Sequence, residues 1–159
     1  LENTDVYEAL NERVIEKKKP FLGICVGMQL LATKGHEGQQ NNSGLNWVSG
    51  EVKKIEVEKS FKIPHMGWNT AILKQQDSPF WADLDPSLER FYFVHSYYAK
   101  PEDPSLIFTT TEYDQDFTSS IARGNILACQ FHPEKSQKRG LQIYANFASI
   151  CDKPLSIEL

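Results

Sequence analysis

Five residues, Gly23-Ile24-Cys25-Val26-Gly27, constrain the fold of this chain more than any others. Pro20-Phe21-Leu22 ahead of them is apolar, and so is most of Met28-Gln29-Leu30-Leu31-Ala32 behind them. An apolar run, a glycine-flanked cysteine and a second apolar run read as strand, sharp turn and helix. Such a turn is the cysteine form of a nucleophile elbow, in which glycines two residues to either side of the apex relieve crowding. The helix is expected to reach about Thr33, with its N-terminus under the sulfur, where free N–H groups and the helix dipole favour a thiolate. A cysteine between apolar residues also reads as a small buried hydrophobe, so the pentapeptide alone leaves both readings open.

At 159 residues the chain fits one domain with room for a real core. Its formal charge of −4 carries no basic excess, so no nucleic-acid partner is expected. No continuous apolar run could span a bilayer, and no membrane partner is expected either. Cys25, Cys129 and Cys151 are odd in number and far apart, which fits a reducing cytoplasm rather than a disulfide framework. His36, His65, His95 and His132 are equally dispersed, so neither a metal site nor a cofactor is expected.

Along the chain, Asp5 can cap a helix running to about Lys18 with Val6, Leu10, Val14 and Ile15 inward. Lys17-Lys18-Lys19 reads as its solvated C-terminus, and Pro20 ends it. Residues 34–44 are polar and read as a loop. Short strands are expected near 46–57, 61–66, 69–73, 90–95, 105–111, 117–122 and 126–131. A helical turn around Phe80-Trp81 and a tight hairpin turn at Gly124-Asn125 interrupt them. Ser136 is expected to cap a last helix with Leu141, Tyr144, Ala145, Ala148 and Cys151 inward. Helix-strand-helix at the start and strand-helix at the end give an α/β core, with an antiparallel elaboration at one side of a mixed sheet.

A second constellation, Phe131-His132-Pro133-Glu134-Lys135-Ser136, changes the odds for Cys25. In an extended segment residues two apart point the same way, so His132 and Glu134 share a side. A carboxylate fixes an imidazole tautomer and stabilises the imidazolium. If His132 also reaches Cys25, the three form nucleophile, general acid/base and orienter. The strand before His132 would deliver it to the sheet edge that the elbow occupies, where open α/β sheets place their sites. By itself His132-Pro133-Glu134 also reads as a polar turn after a strand.

PFLGICVGMQLL together with FHPEKS resembles the class I, triad-type glutamine amidotransferases. The resemblance covers nearly the whole chain. It implies a three-layer α/β fold of flavodoxin-like type, a mixed sheet flanked by helices. It also implies that a cysteine attacks the side-chain amide of L-glutamine, forming a glutamyl thioester and releasing ammonia. Pro64-His65-Met66-Gly67-Trp68-Asn69 and Tyr92-Phe93-Val94-His95-Ser96-Tyr97-Tyr98 narrow the resemblance to the glutaminase subunits of imidazole glycerol phosphate synthase. Those pass ammonia to a separate (β/α)8-barrel cyclase in histidine biosynthesis.

On that resemblance Cys25, His132 and Glu134 form the triad, and the Val26 N–H is an oxyanion donor. Gln29 contacts the substrate, and the Glu37 carboxylate holds the glutamine ammonium. Ser96 and Tyr97 present backbone groups to the amino-acid end of glutamine. Tyr92 and Lys135 lie near the ammonia exit facing the cyclase. His65 and His95 read as structural, and Cys129 as a buried, inert thiol.

The family carries a further segment ahead of the first helix, with its first strands and a glycine-rich oxyanion loop. Leu1 falls just upstream of that helix, so the expectation is a single domain short of those parts, with half an oxyanion hole and reduced or no activity. Loss of one oxyanion donor costs on the order of 10²–10³ in rate. Three other functions stay open: an amidotransferase subunit for a different acceptor, such as a sugar-modifying paralogue; a non-catalytic scaffold; and a γ-glutamyl peptidase.

Overall fold

A computed structural model describes residues 5–37, 42–58, 60–75, 78–85 and 90–152. Helix α1 (Asp5–Asn11) runs on into a π-helical turn (Glu12–Glu16), followed by β1 (Phe21–Ile24) and α2 (Val26–Gln29). Then come β2 (Lys34–Gly35), β3 (Asn42–Ser43), β4 (Gly50–Lys54), β5 (His65–Thr70), β6 (Ile72–Leu73) and a 3-10 turn (Pro79–Trp81). The second half holds β7 (Arg90–His95), β8 (Tyr97–Pro101), a 3-10 turn (Pro104–Leu106), β9 (Ile107–Tyr113), β10 (Gln115–Arg123) and β11 (Ile126–Cys129). A 3-10 turn (Pro133–Lys135) and α3 (Gln137–Asp152) complete the described chain.

The main sheet has the order β1-β11-β10-β9-β6. β1 and β11 are parallel and the other pairs antiparallel, so the sheet is mixed as expected. Strand alternation sorts its side chains between two cores. Leu127 and Cys129 join Trp81, Phe91, Phe93, Phe131 and Ile143 beneath α3. Ile126 and Ala128 join Val14, Met28, Leu31 and Trp47 on the opposite face, beneath α1 and α2. Two helical layers thus enclose one sheet, which explains why β11 is buried at every position. Two smaller sheets, β3-β2-β4-β8 and β5-β7, form the elaboration, antiparallel as expected except that β2 and β4 are parallel. The hairpin turn at Gly124-Asn125 is present between Arg123 and Ile126, with Gly124 at φ +56°.

Several expectations need correcting. The elbow helix is a single turn and does not reach Thr33. The Leu30, Leu31 and Ala32 carbonyls accept from the N–H groups of Leu45, Asn46, Trp47 and Val48, so no helical ladder can use them. Val6 is exposed, because the inward stripe of the first helix runs through Tyr7, Leu10 and Val14. The last helix is turned by about one residue. Gly140, Ile143, Asn146 and Ile150 are buried, while Leu141, Ala145, Ala148 and Cys151 are exposed. The cause is close approach: a Cβ at Gly140 would lie 1.7 Å from the Pro133 carbonyl oxygen. Ser136 does not cap this helix through its side chain. Its Oγ donates to the His132 carbonyl at 2.6 Å and accepts from the Tyr92 N–H at 3.0 Å. Residues 61–64 form no strand, whereas Tyr97–Pro101 does. The expected loop at 34–44 contains β2 and β3, and its residues 38–41 lie outside the described residues. The helical turn near Phe80 is present, begun by Ser78 accepting from the Phe80 N–H. Residues 76–77 and 86–89 of that stretch also lie outside the described residues.

Candidate active site

Parallel pairing of β1 with β11 puts Cys25 and His132 just beyond the C-terminal ends of adjacent strands. The Cys25 N–H donates to the Cys129 carbonyl at 2.8 Å, which ties the elbow to the strand that delivers the histidine. Cys25 sits at φ 50°, a strained conformation for a residue with a Cβ. Only one flanking glycine is required by space. A Cβ on Gly23 would lie 2.8 Å from the Gly27 carbonyl oxygen, whereas one on Gly27 would meet nothing within 4 Å.

The thiol is half-buried, and its pKa is raised rather than lowered. Burial is the largest cause, and the charge of Glu134 adds to it. The Val26 N–H, the Gln130 side chain and Lys135 pull the other way without prevailing. The expected thiolate at a helix N-terminus is therefore corrected, since a single helical turn has too little dipole to offset desolvation. A protonated nucleophile needs a base.

His132 and Glu134 do come together, though by a turn rather than an extended segment. The 3-10 turn at Pro133–Lys135, closed by the Lys135 N–H donating to the His132 carbonyl at 3.0 Å, folds Glu134 back toward the ring. His132 Nδ1 lies 2.7 Å from Glu134 Oε1. His132 Nε2 is buried and makes no hydrogen bond within the described residues. Burial tends to raise the Glu134 carboxyl, but the His132 hydrogen bond and the Glu134 backbone N–H hold it below its ordinary range. The Tyr144 hydroxyl of α3 is raised above its ordinary pKa, chiefly by burial and further by the charge of the same carboxylate. A carboxylate on one nitrogen and an open valence on the other define a base in a fixed tautomer.

The other expected residues are distributed around this pair. Gln29 Nε2 donates to the Tyr97 carbonyl at 2.9 Å and to Gln130 Oε1 at 3.1 Å, which engages both its amide protons. The Ser96 carbonyl is also engaged inside the protein, accepting from the Ile55 N–H at 2.9 Å. Glu37 is exposed, and its carbonyl accepts from Asn42 Nδ2 at 2.8 Å. Val26 is exposed next to the sulfur. Lys135 Nζ lies 5.8 Å from the centre of the Tyr92 ring, and Trp68 meets that ring edge-on at 6.2 Å. Cys129 is fully buried and its thiol is pushed well above the ordinary range by desolvation, which makes it inert.

Gln130 was not anticipated. It is fully buried and its Nε2 donates to Cys25 Sγ at 3.5 Å. A signal was present: an amide at the end of the apolar run Ile126-Leu127-Ala128-Cys129 needs a polar partner there. Among the described residues no group of three or more His, Cys, Asp or Glu side chains could hold a metal ion. No helix among them is long and apolar enough to cross a membrane.

A family model described as glutamine amidotransferase class-I matches residues 3–151. Among curated relatives, the chain is similar to the imidazole glycerol phosphate synthase subunit HisH of Thermosynechococcus vestitus, 48% identical over 140 residues. That match covers 87% of this chain and 66% of the relative. The HisH of a Synechococcus strain is 46% identical over 149 residues, covering 93% of this chain and 67% of the relative. This chain thus spans about two thirds of the length of these relatives. A solved structure from Thermoplasma acidophilum, described as a GMP synthase component, superposes with a TM-score of 0.64 at 21% identity, over 93% of this chain and 65% of that one. A glutamine amidotransferase from Thermotoga maritima superposes with a TM-score of 0.58 at 20% identity, over 91% of this chain and 54% of that one. These two likenesses bear on the fold alone.

Proposed function

This chain belongs to the class-I glutamine amidotransferase family, and on that premise we propose that it hydrolyses L-glutamine and passes the ammonia to a (β/α)8-barrel cyclase. The observation that carries this reading is a strained, protonated Cys25 and a His132 placed just beyond the ends of adjacent parallel strands, with His132 Nδ1 held by Glu134 and its Nε2 open. His132 Nε2 takes the thiol proton as Cys25 Sγ attacks the amide carbon of glutamine. The Val26 N–H steadies the oxyanion. The imidazolium then protonates the departing nitrogen, the C–N bond breaks, and ammonia leaves a glutamyl thioester. Water attacks the thioester, giving a proton to His132. The C–S bond breaks, glutamate leaves, and the proton returns to sulfur.

Glu37 holds the substrate ammonium, while Gln29, Ser96 and Tyr97 shape the place of its amino-acid end. Tyr92 and Lys135, with exposed Trp68 and Met66 beside them, face the cyclase and the ammonia exit. Similarity to HisH proteins supports that partner and a place in histidine biosynthesis, and the shared sheet beneath both cores supports one amidotransferase domain. Three free cysteines, one of them exposed, fit a reducing cytoplasm. Glutamate release from glutamine, measured with and without the cyclase partner and its ribonucleotide substrate, tests the reading. Turnover should appear with the cyclase and vanish in Cys25→Ala. Turnover that survives this substitution overturns it.

A further inference from the structure

Behind the nucleophile runs a chain of hydrogen bonds whose two histidines, His65 and His95, have no part in the reaction. It starts on β5. Asn69 Nδ2 donates to the Glu112 carbonyl at 2.9 Å and to His65 Nε2 at 3.2 Å, and the Asn69 oxygen accepts from the Thr70 N–H at 2.8 Å. His65 Nδ1 lies 2.9 Å from His95 Nε2. His95 Nδ1 lies 2.8 Å from the Tyr97 carbonyl. That carbonyl also accepts from Gln29, whose second amide proton goes to Gln130, whose own amide reaches Cys25 Sγ.

The ends of this chain fix every proton within it. The Tyr97 carbonyl can only accept, so His95 carries its proton on Nδ1. His95 Nε2 is then an acceptor, so His65 also carries its proton on Nδ1, and His65 Nε2 accepts from Asn69. Both rings are neutral single tautomers. Their surroundings agree. They are 3% and 6% exposed and packed against Phe93 and Phe117, with Tyr113 stacked on His65. Burial pushes both imidazoles down to about 4. Strand alternation sends His65 and Asn69 inward while Met66 and Trp68 face outward, so the segment Pro64–Asn69 reaches the nucleophile through its inner side.

We propose that His95 is a positioning residue for the reactive thiol: it pins the Tyr97 carbonyl, which with Gln130 locks the Gln29 amide and aims the Gln130 N–H at Cys25 Sγ. His65 and Asn69 act one and two links further back, holding His95 in the tautomer that donates. The inference rests on Cys25 being the nucleophile.

The test is the rate at which iodoacetamide alkylates Cys25, followed by mass spectrometry from pH 6 to 10. The charged groups acting on the sulfur, Glu134 and Lys135 beside His132, stay intact in every variant. His95→Phe keeps an aromatic ring and loses the donor. It should slow alkylation about three- to tenfold near neutral pH and move its midpoint upward. His95→Asn loses the ring but can place an amide N–H where Nδ1 was, and should restore most of the rate. A packing role alone would invert that order, with Phe tolerated better than Asn, and would overturn the proposal. Should His95→Phe fail to fold, Asn69→Leu breaks the chain two links earlier. About a twofold slowing is then expected, and an unchanged rate overturns the proposal. Loss of glutamine turnover in Cys25→Ala is read separately, so failure of the functional reading is distinguishable from failure of this one.

Discussion

Two imidazole centres stand near Cys25, and they are held in opposite ways. His132 has a carboxylate on Nδ1 and nothing on Nε2 within the described residues. The His65–His95 pair has both nitrogens of both rings engaged, with only amides, carbonyls and the other ring as partners. One arrangement leaves a lone pair to take a proton and a charge partner to stabilise the result. The other leaves no open valence and no countercharge, so each ring stays neutral and acts as a fixed connector. The same side chain becomes a base or a strut according to what occupies its nitrogens.

Replacing the base should break this contrast most sharply. His132→Gln should lower glutamine turnover by about 10²–10⁴, the usual contribution of positioned acid–base catalysis. His95→Phe, by comparison, should cost only what mis-aiming the thiol costs. Turnover measured on both variants with the cyclase present decides it. Equal losses would mean that the two centres do the same work.

The next largest effect belongs to the carboxylate. Glu134→Gln keeps the size of the side chain and removes its charge. About a 10- to 100-fold loss of turnover is expected, less than for a fully buried orienter because Glu134 is half exposed and screened by water. The turn is closed by backbone bonds from the Lys135 and Ser136 N–H groups, so the fall reflects charge rather than collapse of the turn. A Glu134→Gln protein with parental turnover would show that His132 needs no countercharge, and the distinction from His95 would narrow to an open nitrogen alone.

What could be read from the sequence divides along the same line. The elbow and the His132-Pro133-Glu134 turn are local, and a backbone that demands Gly23 or a carboxylate two residues from an imidazole is visible without knowing the fold. The His65–His95 contact is not local. It follows from the register of β5 on β7, which sets His65 opposite His95, and residue spacing carries no trace of that register. Gln130 and Asn146 are hidden from the sequence for a related reason. Both are polar residues at inward positions, satisfied by partners far away in sequence: Gln29 for one, the Phe80 and Ala82 carbonyls for the other. The sequence pattern misplaces the phase of α3 because Leu141 is strongly apolar, whereas the residue that seats the helix is Gly140, through the Pro133 carbonyl. The length of α2 depended on N–H donors from Leu45 to Val48 that no pattern near the elbow reveals.

The smallest effect, and the one that separates the two centres without any activity assay, lies in how stability depends on pH. His65 and His95 have folded pKa values near 4 against 6.5 for an unburied imidazole. Between those values the unfolded chain binds protons that the folded chain excludes. Stability is therefore full above about pH 6.5 and falls as the pH drops toward 4, by at most about 1.4 kcal/mol per pH unit for each ring. The two rings share a hydrogen bond and a positive charge on one opposes protonation of the other, so they titrate as a coupled pair whose combined slope cannot exceed twice that figure. Urea unfolding at pH 4.5, 5.5 and 6.5 measures the slope. His95→Phe should flatten it, since the substitution removes one titrating ring and frees His65 Nδ1 from its acceptor. A slope as steep in His95→Phe as in the parent would place the titration elsewhere, and the buried pair would then not be the neutral connector that its hydrogen bonds describe.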